Sequence, residues 1–239
     1  MKPSDARGLV TVVVAIGAIG IALALAMSSL DDAAVDLGPP PSEDLVERAS
    51  AGDADACFGL AEHYRLGRGV VANGRTAMRW YECAARSGHA GARYQMGRLF
   101  ETGDGVRQDF KRAAELYRLA TDLGRFPAAQ YALGQLHYSG RGVANDYGLA
   151  IQWFRRAADG DYAPAQHVLG TIYEHGWGVD SDLIAAYAWY TLAMRRASDV
   201  READPTFDPG VSRARLAAKM NRFETEKAQQ RARNWRPRR

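Results

Sequence analysis

The first strong hydrophobic pattern is a run of apolar residues near the N-terminus. Residues 8–30 are 23 consecutive uncharged residues, rich in Val, Ile, Leu and Ala. A helix of this length, rising about 1.5 Å per residue, crosses a hydrocarbon core of roughly 30 Å. Lys2 and Arg7 precede the run and three aspartates follow it, so the basic residues favour the cytoplasmic side. The pattern predicts a short cytoplasmic N-terminus over residues 1–7, a transmembrane signal-anchor helix over residues 8–30, and export of the rest.

A cleaved signal peptide is the alternative for this segment. Ala24-Leu25-Ala26 has the small-x-small form of a cleavage site. The apolar run is longer than the roughly 7 to 15 residues of a signal core, which favours an uncleaved anchor. In both cases the remainder of the chain leaves the cytoplasm.

Small residues recur inside the predicted span. Ala18, Ala22 and Ala26 fall on one helix face, which permits close pairing of two spans, although alanine is abundant throughout the chain. Weak self-association through the span is therefore a minor expectation. Residues 31–41 form an acidic, proline-rich linker to the next segment.

Beyond the linker, the pattern of apolar and glycine positions repeats four times. Each copy contains a glycine pair, in the strings LGRGV, TGDGV, SGRGV and HGWGV. The first glycines of successive pairs are 36, 37 and 36 residues apart. Ten residues after each valine comes a large apolar residue, namely Trp80, Leu116, Trp153 and Trp189. Six residues before each glycine pair comes a small residue, namely Ala61, Gly97, Gly134 and Gly170.

Each unit has the pattern of two helices joined by a tight turn. The paired glycines accept positive φ in the turn. A capping residue then opens the second helix at Asn73, Asp109, Asp146 and Asp182. The second helix carries an apolar stripe at i, i+3/i+4 and i+7, and small residues such as Gly134 and Ala150 would let the two helices approach. Since neither helix buries its stripe alone, the units are expected to stack.

The repeated pattern resembles the Sel-one-like repeat family, which is related to tetratricopeptide repeats. In the fourth copy the matching positions are Ala165, Leu169, Gly170, Tyr173, Gly176, Gly178, Val179, Asp182, Ala186, Trp189 and Tyr190. The other copies depart at single positions, with Ala61, Phe100 and His137. The resemblance implies an all-α fold: a right-handed α-solenoid of four helix-turn-helix repeats over residues 52–197, with helical caps.

Both ends of the repeat region carry capping signals. Residues 42–51 predict a capping helix that starts at Ser42, with acidic residues in its first turn. Residues 198–239 predict a basic C-terminal cap of two short helices, about 211–219 and 222–235, packed against the fourth unit. Asn221 and Glu224 have the spacing of a capping box.

Composition and charge narrow the class of protein. The chain has 47% hydrophobic and 25% charged residues, which excludes disordered, collagenous and disulfide-stapled small proteins. Residues 211–239 hold ten basic and two acidic residues, so the net charge of +3 comes from this tail. Binding of the tail to a membrane surface or polyanion is one hypothesis, and a solvated cap is the simpler one. An exported chain gives no reason to expect nucleic acid.

The family resemblance implies a scaffold that binds another protein or peptide, associated with a membrane or the cell envelope. The first helices of stacked hairpins line a concave face. Aromatic and arginine side chains among mixed charges suit peptide recognition, although a merely solvated face is the alternative. The residues predicted to face inward are Phe58, Glu62, Arg65, Tyr94, Arg98, Glu101, Tyr131, Gln135, Tyr138, His167, Thr171 and Glu174.

The sequence offers little for an enzyme. It contains no G-x-S-x-G, S-x-x-K, H-E-x-x-H or P-loop motif, and the five histidines lack metal-ligand spacing. Catalytic residues, metals and cofactors are therefore not predicted. Cysteine-rich relatives have been associated with β-lactam hydrolysis or binding, which leaves an envelope enzyme of that type as the alternative function.

The two cysteines are a candidate disulfide. Cys57 lies 12 residues before the turn near Gly69 and Cys83 lies 14 after it, so antiparallel helices bring them to similar height. Cys83 is six positions from Ala77, roughly 120° away from the contact stripe at about 100° per residue. Cys57 matches a bridged position of the cysteine-rich relatives, but the matching partner is absent. Two buried free thiols are favoured over a bridge.

Overall fold

The computed structural model describes residues 38–122 and 126–237. Every regular element in these ranges is helical. The predictions for residues 1–7 and 8–30, including the alanine stripe and the cleavage site, lie outside them, as does most of the linker. None of the described helices combines the length and apolar character that a membrane crossing needs.

The described chain runs through a series of short antiparallel helices. The first is α1 (Glu43–Ser50), and the last three are α10 (Ala197–Ala203), α11 (Pro209–Ala217) and α12 (Arg222–Asn234). Between them lie four hairpins, here called units one to four: α2 (Ala54–Leu66) with α3 (Gly74–Arg86), α4 (Ala90–Thr102) with α5 (Phe110–Asp122), α6 (Pro127–Ser139) with α7 (Tyr147–Asp159), and α8 (Ala163–His175) with α9 (Leu183–Ala193). A 3₁₀ turn at Met194–Arg196 joins α9 to α10.

The turn and cap signals act as predicted. The first glycine of each pair is the C-cap of the first helix in the left-handed conformation, as Gly67 shows with φ of 70°. The second helix of each unit opens with the predicted capping side chain, whose oxygen accepts a backbone N–H three residues on. For Asp146 this N–H is that of Leu149, at 2.8 Å. Four in-phase hairpins therefore form the predicted helical solenoid.

An aromatic ring sets the spacing within the later hairpins. A Cβ placed on Gly134 would lie 2.6 Å from Phe154, and the rings of Tyr117 and Tyr190 lie equally close to Gly97 and Gly170. Ala150 is buried in the same core, but it is the ring one turn later that covers Gly134. The three atoms nearest to a Cβ on Gly134 all belong to the Phe154 ring, so this ring is the direct neighbour of the glycine.

The C-terminal segment packs on the fourth unit, as expected of a cap. Leu216 of α11 and Ala228 of α12 are fully buried in one cluster with Tyr187 and Tyr190 of α9. The capping box of Asn221 and Glu224 is present. The cap contains one helix more than the two predicted, because α10 and the loop to Phe207 also fold back onto α8 and α9.

Candidate functional site

A groove runs along the first helices of units two and three. Cavities of about 410 Å³ and about 670 Å³ adjoin there, and both are lined by Glu101, Tyr131, Gln135 and Arg141. We call the two together the central groove. Seven of the predicted residues line it, namely Tyr94, Arg98, Glu101, Tyr131, Gln135, Tyr138 and Thr171.

A tyrosine of the second helix fixes one carboxylate of the groove. The Tyr117 hydroxyl donates to Oε2 of Glu101 at 2.5 Å. Burial and the neighbouring carboxylate raise the pKa of Tyr117 far above its ordinary value, so its phenol stays protonated and keeps donating. The Glu101 carboxylate is therefore held in place on the groove wall.

The same tyrosine–glutamate pair recurs in units one and four. Tyr81 donates to Glu62, and Tyr190 donates to Oε2 of Glu174 at 2.9 Å. In unit three the ring belongs to Phe154, which has no hydroxyl to donate. Unit three therefore lacks this tyrosine–glutamate pair.

Aromatic rings of neighbouring units meet in pairs along the groove. Tyr94 lies 5.3 Å from Phe126, and Tyr131 lies 5.4 Å from Tyr162, between ring centroids. Burial raises the pKa of Tyr94, so this hydroxyl too remains a neutral donor and acceptor at neutral pH. These rings form an aromatic floor that offers apolar contact with polar edges, which suits a peptide.

The predicted residues of unit one line neither cavity. Phe58 stacks on His89 with centroids 4.4 Å apart, and Arg65 donates to Glu62 at 2.6 Å. Burial alone would raise the pKa of Glu62, but hydrogen bonds from Arg65 and Tyr81 outweigh it and hold that pKa below its ordinary value. The three predicted side chains are engaged in packing and pairing with their neighbours.

The C-terminal cap covers two of the three predicted residues of unit four. His167 is 4% exposed, and its ring lies 4.6 Å from that of Phe207. The Glu174 side chain is 2% exposed and accepts from Arg215 at 2.9 Å. His167 and Glu174 therefore do not face an open groove, which corrects the expectation. The cause is the C-terminal cap, whose packing against the fourth unit was predicted but whose contacts with these two side chains were not.

The fold-back also supplies one wall of the central groove. Asp199, Glu202 and Ala203 of α10 line the larger cavity, and Phe207 lines the smaller one. These residues lie where the repeat period has ended, so the spacing argument missed them. Arg141, between the paired glycines of the third turn, was also missed because the turn was interpreted as structural only.

The charges along the groove are mixed. Arg98 and Arg141 contribute positive charge, whereas Glu101, Asp199 and Glu202 contribute negative charge. Within the described residues neither arginine forms an ion pair, and both are exposed. Two exposed guanidinium groups beside an aromatic floor can donate hydrogen bonds to an incoming peptide. Among the residues that the structure covers, no cluster of histidines, cysteines and carboxylates could hold a metal ion.

The two cysteines are joined in a disulfide, so the preference for free thiols is wrong. Cys57 in the first turn of α2 and Cys83 in the last turn of α3 have Cα atoms 5.9 Å apart. The prediction from helical periodicity was wrong because it took Ala77 as the only residue of α3 that marks the face towards α2. The contact between the helices is wider, and Trp80 and Cys83 both pack along its edge.

Comparisons with known proteins agree with this architecture. The structure of a Sel1 repeat protein from Oxalobacter formigenes is similar to this chain with a TM-score of 0.63 and 29% identity, covering 79% of this chain and 76% of that one. A uropathogenic Escherichia coli protective antigen with an SLR fold has a TM-score of 0.51 and 23% identity, covering 80% of this chain and 47% of that one. No curated protein is significantly similar to the chain. Residues 54–89, 90–124, 127–162 and 163–197 each match the Sel1 repeat, and together they are well over half of the sequence. The chain therefore belongs to the Sel1 repeat family.

Proposed function

We propose that this protein is a non-enzymatic scaffold that binds a partner peptide or domain in the central groove. Proteins of the Sel1 repeat family are generally protein-interaction scaffolds. The observation that carries the proposal is an aromatic floor bordered by exposed, ion-pair-free arginines and by a fixed carboxylate. Rigid aromatic rings and arginine are the side chains that most often contribute binding energy at interfaces.

The scaffold is proposed to act at the bacterial inner membrane. The apolar run of residues 8–30 would anchor it, and the charge bias would place the repeats, as a right-handed solenoid, in the periplasm. The disulfide supports this location, because such bonds persist mainly in oxidising compartments. The partner would then be an envelope or membrane protein.

Crosslinked capture from intact envelopes tests the groove. We expect Arg98→Glu to reduce partner capture at least fivefold and to leave the thermal transition unchanged, because Arg98 is exposed and forms no ion pair in the described structure. Arg79→Glu is the matched control. It makes the same change of charge at an exposed site on α3 that lines neither cavity, and it should capture normally. Equal capture by wild type and Arg98→Glu would remove the central groove from the proposal.

A further inference from the structure

In units one to three, the second glycine of each turn packs directly against the backbone of an earlier segment. A Cβ placed on Gly105 would lie 2.3 Å from the backbone nitrogen of Arg75, and one on Gly142 would lie 2.3 Å from the carbonyl carbon of Phe110. In both cases the contacted backbone lies at the start of the second helix of the preceding unit. Only a residue without a side chain allows this approach.

The first turn has no preceding unit, and a proline segment takes that place. A Cβ on Gly69 would lie 2.1 Å from the carbonyl oxygen of Pro39 and 2.3 Å from Cα of Pro40. These prolines precede α1 and lie outside any helix. The turn face of a unit can therefore be covered either by a helix start or by an extended proline segment.

In the fourth turn, the second glycine does not make this contact with an earlier backbone segment. By the register of the repeat, Gly178 should meet the backbone at Tyr147, as Gly142 meets Phe110 and Lys111. Instead, the one neighbouring atom within 4 Å of a Cβ on Gly178 is the side-chain Cδ1 of Ile151, at 3.0 Å. The turn therefore meets a side chain of α7 and lies away from the backbone at the start of that helix.

An apolar cleft occupies the resulting gap. Its volume is about 340 Å³, and Tyr147, Trp177 and Tyr138 at its mouth are 56%, 50% and 48% exposed. The floor is formed by Ile151, Phe154 and Ile172, and the lining contains no charged side chain. Tyr138, Phe154, Ile172 and Trp177 also line the smaller cavity of the central groove, so the two spaces are continuous.

One residue distinguishes this turn from the others. The position between the paired glycines holds Arg68, Asp104 and Arg141 in the first three units and Trp177 in the fourth. The Arg141 guanidinium lies over the Phe110 ring, 5.6 Å from its centroid, and so covers the joint between units two and three. Trp177 stacks on His175 of its own unit, 4.9 Å away, and leaves its joint uncovered.

We propose that this cleft binds an extended, proline-containing segment of another protein. The first turn shows that such a segment fits against this face of a unit. Tyrosine and tryptophan side chains form the grooves that accept polyproline II segments, whose rings pack on them at small entropic cost. The uncharged lining favours proline over a charged residue. The inference rests on the proposed scaffold function, since it names the kind of segment that the scaffold takes.

A peptide titration with the full chain in detergent tests the cleft. The probe is a fluorescein-labelled peptide of three Ala-Pro-Pro repeats, compared with one of three Ala-Gly-Gly repeats, followed by fluorescence anisotropy. We expect saturable binding of the proline peptide and at least tenfold weaker binding of the glycine peptide. Trp177→Arg should weaken binding of the proline peptide at least tenfold, because the aromatic wall is lost.

The controls separate the cleft from the groove and from misfolding. Arginine is the natural residue at this position in units one and three, so Trp177→Arg should keep the wild-type thermal transition. Tyr147→Ala, on the opposite wall, should give the same loss of binding if the first variant is less stable. Arg79→Glu, at an exposed site on α3 outside the cleft and the central groove, should bind the peptide within twofold of wild type. Absence of saturable binding, equal binding of both peptides, or wild-type binding by Trp177→Arg and Tyr147→Ala would overturn the cleft proposal. Any of these would leave the capture result for Arg98→Glu untouched, so the two proposals can fail separately.

Discussion

At the residue scale, the distance between the helices of a hairpin is set by one ring above one position without a side chain. In unit three the Phe154 ring occupies the volume that a Cβ on Gly134 would need. The first unit has Ala61 at the same position, buried in one core with Tyr81. In units two to four the ring lies too close to the first helix for a Cβ, so this position requires glycine.

We predict that Gly134→Ala lowers the free energy of unfolding by about 1 to 3 kcal/mol, because the added methyl group overpacks the core. The control is Gly148→Ala in α7, where the one atom near an added Cβ is Oδ1 of Asp146 at 3.4 Å. This variant should be as stable as wild type or more so by about 0.5 to 1 kcal/mol, since alanine favours a helix over glycine. Urea unfolding followed by circular dichroism measures both. A Gly134→Ala protein as stable as wild type would show that the ring is free to move.

A second residue-scale prediction concerns His167 and pH. Burial lowers its pKa to about 4 from the ordinary 6.5, although Asp208 and Asp204 oppose this shift. Because the unfolded chain binds the proton more tightly, the stability from the neutral ring is complete above pH 6.5 and is lost as pH falls towards 4. We expect the chain to be less stable at pH 5 than at pH 7 by about 2 kcal/mol through this group alone.

The measurement is urea unfolding of wild type and His167→Gln at several pH values. The variant should lose most of this dependence between pH 7 and 5, whatever its stability at pH 7. His175→Gln, which replaces an exposed imidazole by the same side chain, is the matched control. Identical profiles for His167→Gln and wild type would show that protonation of His167 does not destabilise the folded chain.

At the element scale, periodicity explains which helices were predictable. The tail prediction of 211–219 and 222–235 is close to the observed Pro209–Ala217 and Arg222–Asn234, because proline and capping residues mark both starts. Helix α10 carries no repeat landmark, and its position depends on contacts with α8 and α9 that are distant in sequence. For the same reason the groove residues of units two and three could be predicted, while the wall from α10 and the burial of His167 could not.

The bridge between α2 and α3 gives a prediction at this scale. It joins residues 26 apart, so loss of the crosslink should lower the free energy of unfolding by about 3 kcal/mol through the entropy of the unfolded chain. We expect protein purified without reductant to show no free thiol after denaturation in guanidinium, and its thermal transition to fall on reduction. Cys83→Ser should melt like the reduced protein and should not respond to reductant. Two titratable thiols in the unreduced, denatured protein would contradict the bridge.

At the scale of the whole molecule, charge is divided along the chain in a way that the total conceals. The net charge of +3 combines a basic C-terminal end with a repeat region of mixed sign. Part of that basic end is engaged within the fold, since Arg215 and Lys219 pair with Glu174, and Arg231 lies 3.5 Å from Asp182. The tail is thus mainly a cap on the fourth unit. Only its remaining exposed basic residues are available to attract an anionic surface.

The last prediction concerns how the whole chain is placed at a membrane. The apolar run of residues 8–30, the basic residues before it and the disulfide in unit one together predict an anchored chain with its repeats outside the cytoplasm.

In a bacterial host, the full chain should stay in the membrane fraction after alkaline carbonate extraction. A C-terminal tag should be digested by protease in intact spheroplasts, while a cytoplasmic marker is protected. A chain that begins at residue 31 should be washed from the membrane and should lack the disulfide, because it is not exported. The intact mass separates the two routes of export, since an anchor retains the residues up to Ala26 and a cleaved signal peptide does not. Protection of the C-terminal tag in spheroplasts would overturn the periplasmic orientation.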